Sequence, residues 1–349
     1  MESVDRQLEA VVATGVPGAV AVGVGSGRRI EAAAGFADLR TGEALTVEHR
    51  FRVGSVTKIF VAALVLQLVA EGSLELDGDA APFAEGITIR QLLNHTSGLP
   101  DVLDDVMDFF EPYRRDPAYR WEVGHDDQLA RVLEKPRAFA PGEGWGYRGS
   151  NYLALGLIVE EVTGLTLGDA LRQRILVPLG LERTDLIEGP LRGDCARGYL
   201  PADNPVLPGG PGPVDVTELD LAPFTWAGGG VVSTAGETAK MLQALLGEEL
   251  LPDRLRTEML RAVDSEWNET DRYGLGIGEI TAVFGRQRSL CGAAWGHLGF
   301  SVGYMAIALS SKDGERQTVL FANGGFASQE AEDAFFDAAG RLVWHLYCM

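Results

Sequence analysis

Lysine is scarce: the 30 basic residues of the 349-residue chain are 26 arginines and only four lysines, Lys58, Lys135, Lys240 and Lys312. Generic positive charge is therefore supplied by arginine, and a lysine inside an apolar segment asks for a specific reason. Positive charge as a whole is also short. Fifty acidic residues leave a formal charge of -20, which repels nucleic-acid backbones and anionic membrane surfaces. Cysteine is rarer still, and Cys195, Cys291 and Cys348 form neither a paired framework nor a close-spaced metal cluster, so they read as plain structural or surface thiols. A bilayer-spanning run is missing too: the most apolar stretch, residues 59–70, is interrupted by Gln67 and reads as a buried helix. The amino terminus, MESVDRQLEA, carries acids where a secretory leader would carry Lys or Arg, which leads to the expectation of a cytoplasmic protein.

What is present is ordinary globular composition, 46% apolar and 23% charged, in a length that suits one elaborated domain or two lobes. Residues 18–36 read as two strand-like runs around Gly25-Ser26-Gly27, a hairpin turn, so the chain is expected to open with antiparallel sheet. Residues 55–71 are apolar on every side and stop at Gly72, which predicts a central helix. Helical periodicity follows near residues 89–94, 126–133, 150–162 and 167–177, and again over 235–246 and 328–347. Strand-like runs return at 274–284, 300–310 and 318–322. The fold class expected is α/β in the α+β sense, an antiparallel sheet built from both termini, flanked by helices, with an all-helical lobe inserted. Residues 1–80 and 225–349 would form the sheet domain, and 81–224 the lobe, including the Pro/Gly-rich loop 201–213.

The sharpest local signal is Phe51-Arg-Val-Gly-Ser55-Val-Thr-Lys58. Ser55 and Lys58 are three apart at a helix start, so their side chains share a face. The positive helix end stabilises a developing oxyanion, and burial in an apolar helix lowers the lysine pKa, which turns the amine into a proton acceptor for the serine. The alternative for the pair alone is a helix cap and a snorkelling surface lysine. Two more segments follow in order. Pro141-Gly-Glu-Gly-Trp-Gly-Tyr147-Arg-Gly149-Ser-Asn151 sets a tyrosine before a helix, and Trp295-Gly-His297-Leu-Gly299-Phe300 sets a histidine at a strand start. His95, in His95-Thr-Ser-Gly-Leu-Pro100, reads as the end of a helix and a turn. His49, His125 and His345 show no ligand spacing, so neither metal nor cofactor is expected.

Together these segments resemble the serine β-lactamase and D-alanyl-D-alanine carboxypeptidase superfamily, in its branch of class C β-lactamases, D-aminopeptidases and esterases. That family carries Ser-x-x-Lys, then Tyr-x-Asn, then Lys-x-Gly or His-x-Gly. Residues 92–100, 227–234 and 273–276 resemble it as well, and the likeness runs from about residue 15 to 345. The resemblance implies Ser55 as nucleophile, Lys58 with Tyr147 as the proton-handling pair, and His297 on the strand edging the site. It implies an oxyanion hole from the backbone N–H groups of Ser55 and Phe300, with Gly149, Asn151 and Gly299 at the substrate. Two departures bear on substrate. Gly149 stands where the family has the Tyr-x-Asn asparagine, and His297 stands where β-lactamases have lysine. Both weaken the grip on acylamino and carboxylate groups, so the expected activity is that of a serine hydrolase on an ester or amide of a small molecule. An acyltransferase with the same acyl-enzyme, a β-lactamase or D-aminopeptidase, and a non-catalytic binding protein are the alternatives.

Overall fold

The computed structural model describes residues 3–349 apart from 105, 117–118, 121–122, 205–206, 208–210, 248 and 267–271. β1 (Gly18–Gly25) and β2 (Arg28–Asp38) form a tight hairpin in which Ser26 and Gly27 both have positive φ, 50° and 71°. That is the turn whose twist matches the strands. β3 (Glu43–Ala44) extends the same edge. The remaining strands come from the other end of the chain: β4 (Val263–Asp264), β5 (Arg272–Tyr273), β6 (Gly278–Ile280), β7 (Ala294–Ser301), β8 (Tyr304–Ser310) and β9 (Gln317–Ala322). Their order is β4-β5-β6-β7-β8-β9-β1-β2-β3, antiparallel throughout, and the pairing of β1 with β9 joins the two ends of the chain.

Strand β1 shows why the sheet is covered on both faces. Ala19 and Ala21 point into one core with Leu8, Val11, Phe335 and Leu342, while Val20 and Val22 point into the other with Phe60, Leu64 and Leu242. The first core is made by α1 (Val4–Val12) and the carboxy-terminal helix Gln329–Tyr347. So the chain opens with a helix rather than with sheet, and its amphipathic face is paired with residues more than 300 positions away. On the other face, α2 (Thr57–Ala70) is buried at every residue from Thr57 to Leu66, as its uniformly apolar sequence requires. It is closed by Gly72 at φ 77°.

Between these halves lie α3 (Ile89–Leu93), α4 (Val106–Arg115), α5 (His125–Leu133), α6 (Gly149–Thr163) and α7 (Leu167–Leu171). A π turn, Arg172–Leu176, continues α7, so the helical segment expected over 167–177 runs to Leu176. α8 (Ala222–Gly229), α9 (Ala235–Leu246) and α10 (Asp253–Met259) lead back to the sheet. Strand pairing of Tyr199–Leu200 with Val214–Asp215 ties together the ends of the loop 201–213, of which 205–206 and 208–210 lie outside the described residues.

The cysteine expectation is corrected. Cys291 and Cys348 form a disulfide, with Cα atoms 5.7 Å apart, and only Cys195 is a free, buried thiol. A separation of 57 residues hid the pair, because proximity arises from the last helix docking on the sheet. Among the described residues no helix is long and apolar enough to cross a membrane.

Candidate active site

Phe51–Arg52 pairs with Val231–Ser233 and delivers the chain into a single 3₁₀ turn, Gly54–Val56, that runs into α2. Two glycines let β7 cross this turn at closest range. A Cβ on Gly54 would lie 2.5 Å from the Phe300 carbonyl oxygen, and one on Gly299 would lie 2.0 Å from that of Val53. Gly54 also sits at φ 53°, a conformation that favours glycine. β6 pairs with β7 only up to Gly296, so the segment from His297 to Ser301 turns the edge opposite β8 toward Ser55. Ser55 and Phe300 thus line one cavity.

Lys58 fills the floor of that cavity. Its Nζ donates to Ser55 Oγ at 3.0 Å and to the Gly228 carbonyl at 2.7 Å, and it lies over the rings of Tyr147 (4.9 Å) and Tyr152 (5.3 Å). Burial strips water from the ammonium and pulls its pKa down to about 7, with the Asp101 carboxylate pulling weakly the other way. A lysine in this setting is neutral in a large part of the population at neutral pH.

Tyr147 lines the cavity, and its hydroxyl stands 3.5 Å from His297 Nε2. His297 is fully buried in the middle of β7, not at its start, and burial together with the nearby Lys58 charge pushes its pKa down to about 3. Its Nδ1 donates to the Leu298 carbonyl at 2.5 Å, which leaves Nε2 to accept from the Tyr273 hydroxyl at 2.9 Å. The histidine is a neutral acceptor behind Tyr147. Tyr273 escaped attention as a functional residue because Tyr273-Gly-Leu-Gly276 carried only a family likeness.

Asn151 and Gly299, expected at the substrate, are not among the residues that line the cavity. Asn151 is buried, donating from Nδ2 to His95 Nδ1 at 2.9 Å and accepting from Ser97 Oγ at 2.5 Å. Gly299 is packed on the Val53 backbone. His95 follows α3 at φ 63° and packs against Tyr147 with ring centres 4.4 Å apart and the planes tilted by 37°.

Gly149 does line the cavity, and its neighbour was not foreseen. Its N–H donates to Asp101 Oδ1 at 2.9 Å, and a Cβ at this position would stand 3.3 Å from that oxygen and 3.0 Å from Val102. A buried carboxylate therefore backs the position where the family carries an amide. Burial raises the Asp101 pKa, opposed by backbone N–H donors from Leu103 and Gly149. The rest of the wall is mainly apolar, with Val102, Leu103, Leu153 and Trp226 its larger members and Gln128 and Thr225 its polar ones.

A serine poised against a dehydrated lysine, beside two converging backbones, defines the class: a serine hydrolase that acts on ester or amide bonds. The chain belongs to the family described as Beta-lactamase, whose model matches residues 4–341. It is similar to Penicillin-binding protein 4 of Amycolatopsis lactamdurans, 29% identical with 94% of this chain and 86% of that one covered. It is likewise similar to Esterase EstB of Burkholderia gladioli, 30% identical over 72% of this chain and 71% of that one. Among solved structures, the D-stereospecific amidohydrolase from Streptomyces sp. superposes with a TM-score of 0.77 at 30% identity, covering 95% of this chain and 97% of that one.

Proposed function

We propose that the protein cleaves small neutral esters or amides through an acyl-enzyme on Ser55. The observation that carries this reading is the 3.0 Å contact between Lys58 Nζ and Ser55 Oγ in a setting that holds the lysine pKa near 7. Neutral Lys58 accepts the serine proton as Oγ attacks the carbonyl carbon. The backbone N–H groups of Ser55 and Phe300 receive the oxyanion. The proton then passes from Lys58, with Tyr147 beside it, to the departing alcohol or amine. Water, activated by the same pair, releases the acyl group. His297 acts on Tyr147 from behind and carries no charge to hold a substrate carboxylate. Acyl transfer shares this intermediate and differs only in the second nucleophile.

The likeness to an esterase and to a D-stereospecific amidohydrolase supports both bond types. Against penicillin-like substrates stand Gly149 and His297. The first supplies no side-chain amide, and the second stays neutral at pH 7 and offers no charge to a substrate carboxylate. Two losses of about 1.4 kcal/mol each make about a hundredfold, so efficiency on a nitrophenyl ester should exceed that on a chromogenic cephalosporin by at least about that factor at pH 7. Comparable efficiencies would refute the preference.

We further read residues 81–224 as a lobe set against 1–80 and 225–349, with the cavity between them. The Cys291–Cys348 bridge fits an oxidising compartment better than the cytoplasm expected from the sequence. Thiol titration of the denatured protein should find one reactive thiol before reduction and three after it. Three before reduction would remove the basis for that compartment.

A further inference from the structure

We infer that Trp226 is a specificity-determining residue that limits how long an acyl group the site can hold on Ser55. The inference rests on the acyl-enzyme reading above.

The acyl group stays in the site until water or another nucleophile arrives, whereas the alcohol or amine leaves. A buried apolar wall suits the group that stays. In the cavity of about 100 Å³ that holds Ser55 and Lys58, Trp226 is the largest such element, and it is only 2% exposed. Three features fix it there. Its backbone departs from helical geometry inside α8 (φ 15°, ψ -114°), so the helix kinks at this residue. The His125 imidazole stacks on the indole at 3.9 Å, nearly parallel. Finally, the ring tip lies against Gly156 of α6, where a Cβ would approach to 2.6 and 2.8 Å. A glycine in mid-helix is less favourable than alanine, and here it leaves room for the indole. Two residues beyond Trp226, the Gly228 carbonyl accepts from Lys58, so the wall and the catalytic amine are anchored to one segment.

The experiment compares efficiency across nitrophenyl esters from acetyl to octanoyl for the wild type, Trp226→Phe, Trp226→Ala and Gly156→Ala. A second series keeps the acetyl group and varies the alcohol. Each variant is read as its octanoyl-to-acetyl ratio, which does not depend on the amount of folded enzyme. The ratio should rise at least about tenfold in Trp226→Ala and by a smaller factor in Trp226→Phe. Gly156→Ala, which does not line the cavity, should change the ratio at least threefold by displacing the indole. Should Trp226→Ala fail to fold, Trp226→Phe and Gly156→Ala carry the test. Ratios unchanged in folded, active variants overturn the proposal, and so does a change confined to the alcohol series. A wild type without Ser55-dependent turnover is a separate failure, that of the hydrolase reading itself.

Discussion

The floor of the cavity and its wall are built on different principles. On the floor, Lys58 Nζ reaches Ser55 Oγ at 3.0 Å and lies over the Tyr147 ring, while the Tyr147 and Tyr273 hydroxyls both reach His297 Nε2, at 3.5 and 2.9 Å, and burial has shifted the lysine and the histidine far from their ordinary pKa values. The wall of Val102, Leu103, Leu153 and Trp226 makes few such contacts and works by shape. Gly149 and Asp101 lie where the two meet. Chemistry that must work at neutral pH demands fixed polar geometry, because a mislaid proton acceptor is useless. Selection among acyl groups demands only volume, which many residues can supply. Substitutions on the floor should accordingly cost rate on every substrate, and those on the wall should redistribute rate among substrates.

The harshest break is Ser55→Ala. It should lower turnover by at least about 10⁴-fold on every ester tested while leaving the circular dichroism spectrum and melting temperature near those of the wild type. Substantial residual activity on any good substrate would mean that another nucleophile operates.

Lys58→Arg comes next. Guanidinium keeps its proton and is too bulky for a site in which Nζ is enclosed by Ser55, the Gly228 carbonyl and two tyrosine rings. A loss of about 10³-fold is expected, within the range that general-base catalysis supplies. An active Lys58→Arg enzyme would reduce Lys58 to an electrostatic role.

The smallest effect on activity belongs to Cys348→Ser, which touches neither floor nor wall. Opening a loop of 57 residues should lower stability by about 2–4 kcal/mol in a denaturant titration and leave both efficiency and the acyl-chain ratio unchanged. A change in the ratio would show that the carboxy-terminal helix shapes the cavity.

The floor was far more legible in the sequence than the wall, for a physical reason. Ser55 and Lys58 are related by one helical turn, and Tyr147 and His297 each sit in short, glycine-marked segments whose order carries meaning. The hairpin of β1 and β2 and the apolar helix α2 were likewise visible, because local turn chemistry and composition specify them. By contrast, Asp101 meets Gly149, and Trp226 meets Gly156 and His125, across separations that only tertiary packing closes. Asn151 was misplaced for the mirror-image reason. It sits next to the motif in sequence, but helix α6 turns its side chain inward to His95 and Ser97. The opening helix α1 and the Cys291–Cys348 bridge also depend on docking between distant segments.

The central claim, that a neutral buried lysine activates Ser55, is tested most directly by the rate of covalent labelling as a function of pH. Lys58 titrates near 7 in the folded protein and near 10.4 when unfolded, so between those values the folded state holds fewer protons and gains stability as pH rises. Over the same approach from the acid side, the reactive neutral amine becomes populated. Labelling with a fluorophosphonate, followed by peptide mass analysis, should locate the adduct on Ser55 and give a second-order rate that climbs tenfold per pH unit below about 7 and levels off above it. No second limb from His297 should appear between pH 4 and 6, since that imidazole stays neutral there. A rate independent of pH from 5 to 9, or an adduct on any residue other than Ser55, would contradict the account.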